Sequence, residues 1–329
     1  MRRIVLCLLL CSSTCLLAAE APATPKVERN EQGVITLSTA TEGAMIRYTI
    51  DGSDAGPKSG PYLAPIALPS GGVIKARAFT ADRKSGSELL EVKVDPQPNA
   101  PKLPSTLVPC TQDRDFPIYD WAVRHTTVKK RTQERQPELV FIGDSITQMF
   151  GGEPHDRSQP GTAIWDKYYG HRKVGNLGYG YDYLENTLWR LQHGELDGAK
   201  AKAVVVHIGT NNAHKNSVDE IVAGIHAILK EIRRRQPQAT IVLMGIFPRG
   251  PKPDATREKL AAINKQLATL DGKDNVRFLD ITTKFLQPDG TITREIMGDY
   301  LHPSAAGYQI WAEAIEPVLT EILGDKPVK

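Results

Sequence analysis

Four short segments of this 329-residue chain carry residue types that together could transfer an acyl group. Gly143-Asp144-Ser145 follows the apolar run Leu139-Val140-Phe141-Ile142 and puts a hydroxyl where a helix would begin. Backbone N–H groups and the positive dipole end of a helix favour developing negative charge there. A serine hydroxyl is a weak nucleophile at neutral pH and needs an adjacent base. His302 is the candidate base. Asp299, three residues earlier, can accept from the imidazole N–H, fixing the tautomer and stabilising the imidazolium. The oxyanion then needs donors, and the candidates are the Ser145 N–H, the Gly178 N–H and the side-chain amide of Asn211. One such donor is worth roughly 2.7–4 kcal/mol of barrier. Singly, each segment also reads as a cap turn, a polar loop or a surface ion pair; their order and their placement at strand ends favour acyl transfer.

A fold must bring these segments to one place. From Asp113 onward, apolar runs of strand length alternate with helical patterns. The strands are Leu139–Ile142, Lys173–Leu177, Ala203–Ile208, Thr240–Ile246 and Val276–Leu279, with helices near 183–196, 217–235, 256–270 and 304–323. The second helix is the best signalled. Ser217 and Glu220 form a capping-box pair, Ile221, Ile225, Ile228 and Ile232 recur at helical spacing, and Pro237 follows the end. Such alternation predicts an α/β fold, a three-layer, doubly wound, parallel five-stranded sheet spanning residues 113–325. Ligands of these sheets sit beyond the carboxyl ends of the strands, where all four segments fall.

Other residues near these segments are candidates for touching substrate. Ile146, Thr210 and Leu301 adjoin the catalytic groups in sequence; if they crowd the acyl side, only a short acyl such as acetyl fits. Tyr179, Tyr181, His214 and Arg249 could contact the rest of the substrate. His207 reads as a packed residue, and the remaining histidines lack metal-ligand spacing.

Residues 26–95 differ in character. Alternating stretches such as Val34–Ser38, Met45–Ile50 and Val73–Phe79 are separated by Asp51-Gly52, Gly56-Pro57, Gly60-Pro61 and Gly71-Gly72, which predicts a small all-β sandwich. Residues 96–112 include five prolines and read either as a semi-rigid linker or as an ordered strap over the next domain. Residues 1–20 read as a secretory signal peptide, with Arg2 and Arg3 before the apolar run Ile4–Leu10 and small residues near a cleavage point at Ala19–Ala21. That implies a secreted or periplasmic protein with no stable membrane insertion after cleavage. Cys7, Cys11 and Cys15 leave with that segment, so Cys110 has no intramolecular disulfide partner. With 41 basic and 38 acidic residues the chain lacks the surplus positive charge of a dedicated nucleic-acid binder.

Phe141-Ile142-Gly143-Asp144-Ser145-Ile146-Thr147 resembles the first block of the SGNH (GDSL) hydrolase superfamily, and Gly178, Asn211 and the Asp299/His302 pair match its remaining blocks in order. Asn176-Leu177-Gly178-Tyr179-Gly180, the stretch Leu188–Leu196 and the segment Trp121–Arg135 are similar to the platelet-activating-factor acetylhydrolase-like branch. The resemblance covers about residues 113–323. It implies Ser145 as nucleophile, His302 as base, Asp299 as its partner, Gly178 and Asn211 as oxyanion donors, and neither metal nor cofactor. One departure stands out: after Gly178 the chain reads Tyr179-Gly180-Tyr181-Asp182, where relatives often carry a smaller residue and a second glycine. Ile46–Asp54 and Val73–Phe79 resemble the immunoglobulin-like module at the C-terminus of bacterial chitobiases, which implies a glycan-related setting. The expected activity is hydrolysis of short acyl esters on carbohydrate. The alternatives are a lipid acetylhydrolase or lysophospholipase, and a glycan-binding protein with an idle hydrolase fold.

Overall fold

The computed structural model describes residues 20–328, so the signal-peptide reading lies outside the described residues. Strands β1 (Lys26–Arg29), β2 (Val34–Ser38), β3 (Met45–Thr49), β4 (Gly60–Pro61), β5 (Ile66–Ala67), β6 (Gly72–Phe79) and β7 (Leu90–Val94) form two antiparallel sheets, ordered β1-β2-β5 and β4-β3-β6-β7. Their period-two alternation puts Ile35 and Leu37 from one sheet and Tyr48, Ile74, Ala76 and Ala78 from the other into a shared core.

The second body is built on β8 (Leu139–Gly143), β9 (Val174–Gly178), β10 (Ala203–His207), β11 (Thr240–Met244) and β12 (Val276–Leu279). All four pairings are parallel, in the order β12-β11-β10-β8-β9. The helices are α1 (Trp121–Arg135), α2 (Ser145–Gln148), α3 (Thr162–Tyr169), α4 (Leu184–Gln192), α5 (Val218–Arg235), α6 (Ala255–Leu267) and α7 (Ala305–Leu323). Because both sheet faces are covered, the central strands are apolar at nearly every position, and alternation decides only which core each residue joins. Val140, Ile142, Val204, Val206, Ile241 and Leu243 pack with residues of α1, α4, α5 and α6. Leu139, Phe141, Ala203, Val205, Val242 and Met244 pack with Trp165 and Tyr169 of α3 and Trp311 and Ile315 of α7. At roughly 1.5–3 kcal/mol per fully buried large side chain, these two cores hold the sheet without cross-links. The Ser217–Glu220 capping box starts α5 as the sequence predicts.

Two helices, α1 and α3, lie where the sequence reading assigned none. Both have weakly separated faces: α1 is rich in Lys, Arg and Thr, and α3 is an eight-residue piece crowded with aromatics. Of the two readings of residues 96–112, the structure supports the strap. Ser105–Leu107 forms a 3-10 turn, Thr106 Oγ1 donates to Glu220 O (2.7 Å), and Thr111 Oγ1 donates to Pro61 O (2.7 Å).

Candidate active site

The strand order reverses direction between β8 and β10, and the crevice beyond their carboxyl ends is the switch point of the sheet. Ser145 lies there as the first residue of α2, 6% exposed. The turn into α2 needs glycine at 143, since a Cβ there would come 2.2 Å from both His207 O and Thr147 Oγ1. Asp144 caps α2 by accepting from the Ile146 N–H (3.0 Å). Its carboxyl is fully buried, its other oxygen has no partner among the described residues, and burial pushes its pKa up to about 7.

His302 comes from the turn before α7. Tyr300 takes a left-handed conformation there (φ 61°), rare for a side chain of this size. The turn folds back so that Asp299 Oδ1 accepts from the N–H groups of Leu301 (3.0 Å) and His302 (2.7 Å). Asp299 Oδ2 lies 2.6 Å from His302 Nδ1, and His302 Nε2 lies 2.8 Å from Ser145 Oγ. A proton on Nδ1 therefore donates to Asp299 and leaves Nε2 free to accept from the serine hydroxyl. Partial burial opposes ionisation of Asp299, but the hydrogen bonds from the backbone and ring of His302 outweigh it and hold the carboxyl below its ordinary range.

The donor set differs from expectation at one residue. Asn211 Nδ2 donates to Asp182 O (3.0 Å), which anchors the amide and leaves its second N–H available. The Ser145 N–H has no protein acceptor among the described residues. Gly178, however, is not a donor to this crevice. Its N–H is spent on Asn176 Oδ1 (2.8 Å) and its carbonyl accepts from Arg124 Nε (2.9 Å). Three residues on, the Tyr181 N–H has no acceptor among the described residues, and Tyr181 sits at φ 57°. The neighbouring Gly180 N–H is taken by Gln148 Oε1 (2.7 Å), on the same short helix as Ser145, and the neighbouring Asp182 carbonyl by Asn211. The Tyr181 N–H thus lies between elements that carry Ser145 and Asn211. The signal that could have found it was the second glycine common in relatives, since a residue with positive φ is the usual reason for glycine.

Residues 141–310 match the GDSL-like Lipase/Acylhydrolase family. The chain belongs to that family. Residues 25–89 match the Chitobiase/beta-hexosaminidase C-terminal domain. The chain is 35% identical over 208 residues to the platelet-activating factor acetylhydrolase IB subunit alpha2 of Rattus norvegicus, covering 63% of this chain and 86% of the relative. It is 37% identical over 204 residues to the alpha1 subunit of Homo sapiens, covering 62% and 84%. A solved Streptococcus pneumonia structure named for platelet activating factor shares the fold at TM-score 0.51 and 23% identity, over 60% of this chain and 92% of that one. This GDSL acylhydrolase is a carboxylic ester hydrolase.

In this acylhydrolase the other expected contacts separate into rim and core. Thr210 is 1% exposed, and its carbonyl and hydroxyl oxygens lie 3.2 and 3.3 Å from Arg249 Nη1, so half-buried Arg249 closes over the residue preceding Asn211. His214 and Tyr181 are exposed and Leu301 is half-buried. Two expectations are corrected. Tyr179 is fully buried: its hydroxyl donates to Glu195, and Arg190 lies 3.8 Å over its ring, so it supports the loop from within. Ile146 is 1% exposed and packs in the core beside α7, not on the acyl side. His207 is buried against Phe247 and Trp311, and burial pushes its pKa down to about 3.

Sequence reasoning also missed the frame under the 179–182 loop. Asp182 accepts from Gln112 Nε2 (3.0 Å), Trp121 Nε1 (2.8 Å) and Arg190 Nε (2.7 Å), and Arg190 also pairs with Glu195. All three ionic groups are fully buried, so each depends on its partners for solvation.

Proposed function

We propose that this chain removes short acyl groups, acetyl above all, from carbohydrate, using Ser145 as nucleophile, His302 as base and Asp299 as the partner of the imidazole. The observation that carries this is the relay of 2.8 Å from Ser145 Oγ to His302 Nε2 and 2.6 Å from His302 Nδ1 to Asp299 Oδ2. Ser145 Oγ attacks the ester carbonyl as its proton passes to Nε2. The tetrahedral oxyanion is held by the Ser145 N–H, the Tyr181 N–H and the free N–H of Asn211. Collapse breaks the bond to the sugar oxygen, which takes the proton from His302. Water, deprotonated by the same imidazole, then releases the carboxylic acid and restores the serine.

Short-acyl preference is supported by the names of the acetylhydrolase relatives. The carbohydrate reading is supported by the chitobiase-type module and by the charged Arg249 and Asp299 around the relay. The signal-like residues 1–20 fit a substrate met outside the inner membrane. A second reading, acetyl hydrolysis on a platelet-activating-factor-type lipid, is favoured by the names of the 35–37% identical relatives.

The test compares acetate release from acetylated xylan and from a 2-acetyl ether phospholipid. The carbohydrate reading expects the larger kcat/KM on xylan, and the reverse order selects the lipid reading. On 4-nitrophenyl esters, acetate should outrun butyrate and octanoate; equal rates along the series would remove the short-acyl preference.

A further inference from the structure

The Tyr181 N–H shares a peptide unit with the Gly180 carbonyl. That carbonyl accepts from both Gln112 Nε2 and Tyr119 Oη, each at 2.9 Å. In a planar trans peptide the N–H points opposite the C=O, so pinning the carbonyl sets the direction of the N–H. The next carbonyl, Tyr181 O, accepts from Arg114 Nη1 (3.1 Å). The donors to the two carbonyls flanking this N–H, Gly180 O and Tyr181 O, therefore come from residues 112–119.

That segment is gripped in turn by the N-terminal sandwich. Asp113, 1% exposed, lies 2.7 Å from Arg47 Nη1 on β3 and 2.7 Å from Arg83 Nη1, and accepts from the Trp121 N–H (3.0 Å). Arg83 also pairs with Asp120, and its guanidinium lies 3.5 Å over the Phe116 ring. Both arginines are buried. Buried charges of this kind tolerate little displacement, because a partner left alone keeps its full desolvation cost. The docking geometry of the sandwich is therefore fixed at the segment that holds the Gly180–Tyr181 peptide.

We propose that the N-terminal sandwich is a positioning module for the oxyanion donor. Arg47 and Arg83 hold Asp113, and Gln112 and Arg114 on either side of it aim the Tyr181 N–H. This rests on the proposed role of Ser145 and on the assignment of that N–H to the oxyanion. Arg47, Arg83, Gln112 and Arg114 are positioning residues, acting through the Tyr181 peptide. A passive spacer would have no influence on the chemical step.

The experiment uses the full chain with Arg83→Ala, Arg83→Lys, Arg114→Met and Ser145→Ala, assayed on 4-nitrophenyl acetate. Arg114 is half-buried and also contacts Asn186 Oδ1 (3.0 Å) and the Tyr183 ring (4.2 Å), so the fold of Arg114→Met is checked by circular dichroism, and the folded variant decides the matter if Arg83→Ala fails to fold. A misplaced rather than absent donor should lower kcat about tenfold to a hundredfold with KM nearly unchanged. Inactivation by a 4-nitrophenyl phosphonate, whose tetrahedral adduct needs the same donors, should slow in parallel, and Arg83→Lys should recover most of both. Full kcat in Arg114→Met and in folded Arg83→Ala, with Ser145→Ala inactive, overturns the positioning role and leaves the nucleophile assignment standing. Ser145→Ala as active as wild type overturns the reading beneath it.

Discussion

His302 Nε2 lies 2.8 Å from Ser145 Oγ across 157 residues of chain. Two helix starts make that meeting: Ser145 opens α2, and His302 precedes α7. Tyr308 of α7 donates its hydroxyl to Ile146 O (2.7 Å), so the nucleophile and base are carried by elements tied to each other as well as to the sheet. Asp299, by contrast, reaches the imidazole from a largely exposed position, its side chain 57% accessible.

That exposure sets the expected cost of losing Asp299. In a buried triad, replacing the carboxylate by an amide costs about 10⁴ in kcat, because the imidazole is left in the wrong tautomer. Here water can reach the vacated site and accept from Nδ1–H. Asp299→Ala, which removes the carboxylate and opens the site to water, is expected to lower kcat well short of that factor, with KM little changed. Steady-state kinetics on 4-nitrophenyl acetate check this, and a loss near ~10⁴ would mean that water does not substitute for the carboxylate.

Asn211 is anchored through one amide N–H on Asp182 O and has the other for the oxyanion. Asn211→Ala should reduce kcat by about 10²–10³ and leave KM within a few-fold, as expected for a donor that acts only in the transition state. An equal rise in KM at constant kcat would show instead that the amide binds ground-state substrate.

The layers of the hydrolase fold and the relay residues were legible because they rest on local signals. These are apolar runs of strand length, the capping box at Ser217, and chemistry-bearing residues at strand ends. The errors share a physical cause. Gly178 ends β9 and Tyr181 lies three residues on in the loop that follows, and which N–H stays free depends on Asn176 turning its side-chain oxygen back to Gly178. Tyr179 reads from sequence as a substrate contact because a tyrosine beside an active loop carries no mark of facing inward; the distant Arg190 and Glu195 bury it. The pairing of Arg47 and Arg83 with Asp113 spans two domains and has no periodicity to reveal it.

Asp144 predicts a pH dependence of stability. An unfolded aspartate loses its proton near pH ~4, whereas the buried carboxyl holds its proton up to about 7. Between those values the folded state binds the extra proton, so stability falls as pH rises through that window. Asp144→Asn keeps an oxygen for the Ile146 N–H and removes the titration. The thermal midpoint of the wild type should therefore decline more steeply than that of the variant between about pH 5 and 7. Parallel declines would contradict the raised carboxyl.

If Ser145 performs acyl transfer, acetate release from acetylated xylan must separate the purified wild type from Ser145→Ala. Release by the wild type is expected, with a loss on the order of 10⁶ in the variant, down to what binding and the oxyanion donors alone sustain. Comparable release by folded Ser145→Ala, or none by the wild type on xylan and on 4-nitrophenyl acetate alike, would contradict it.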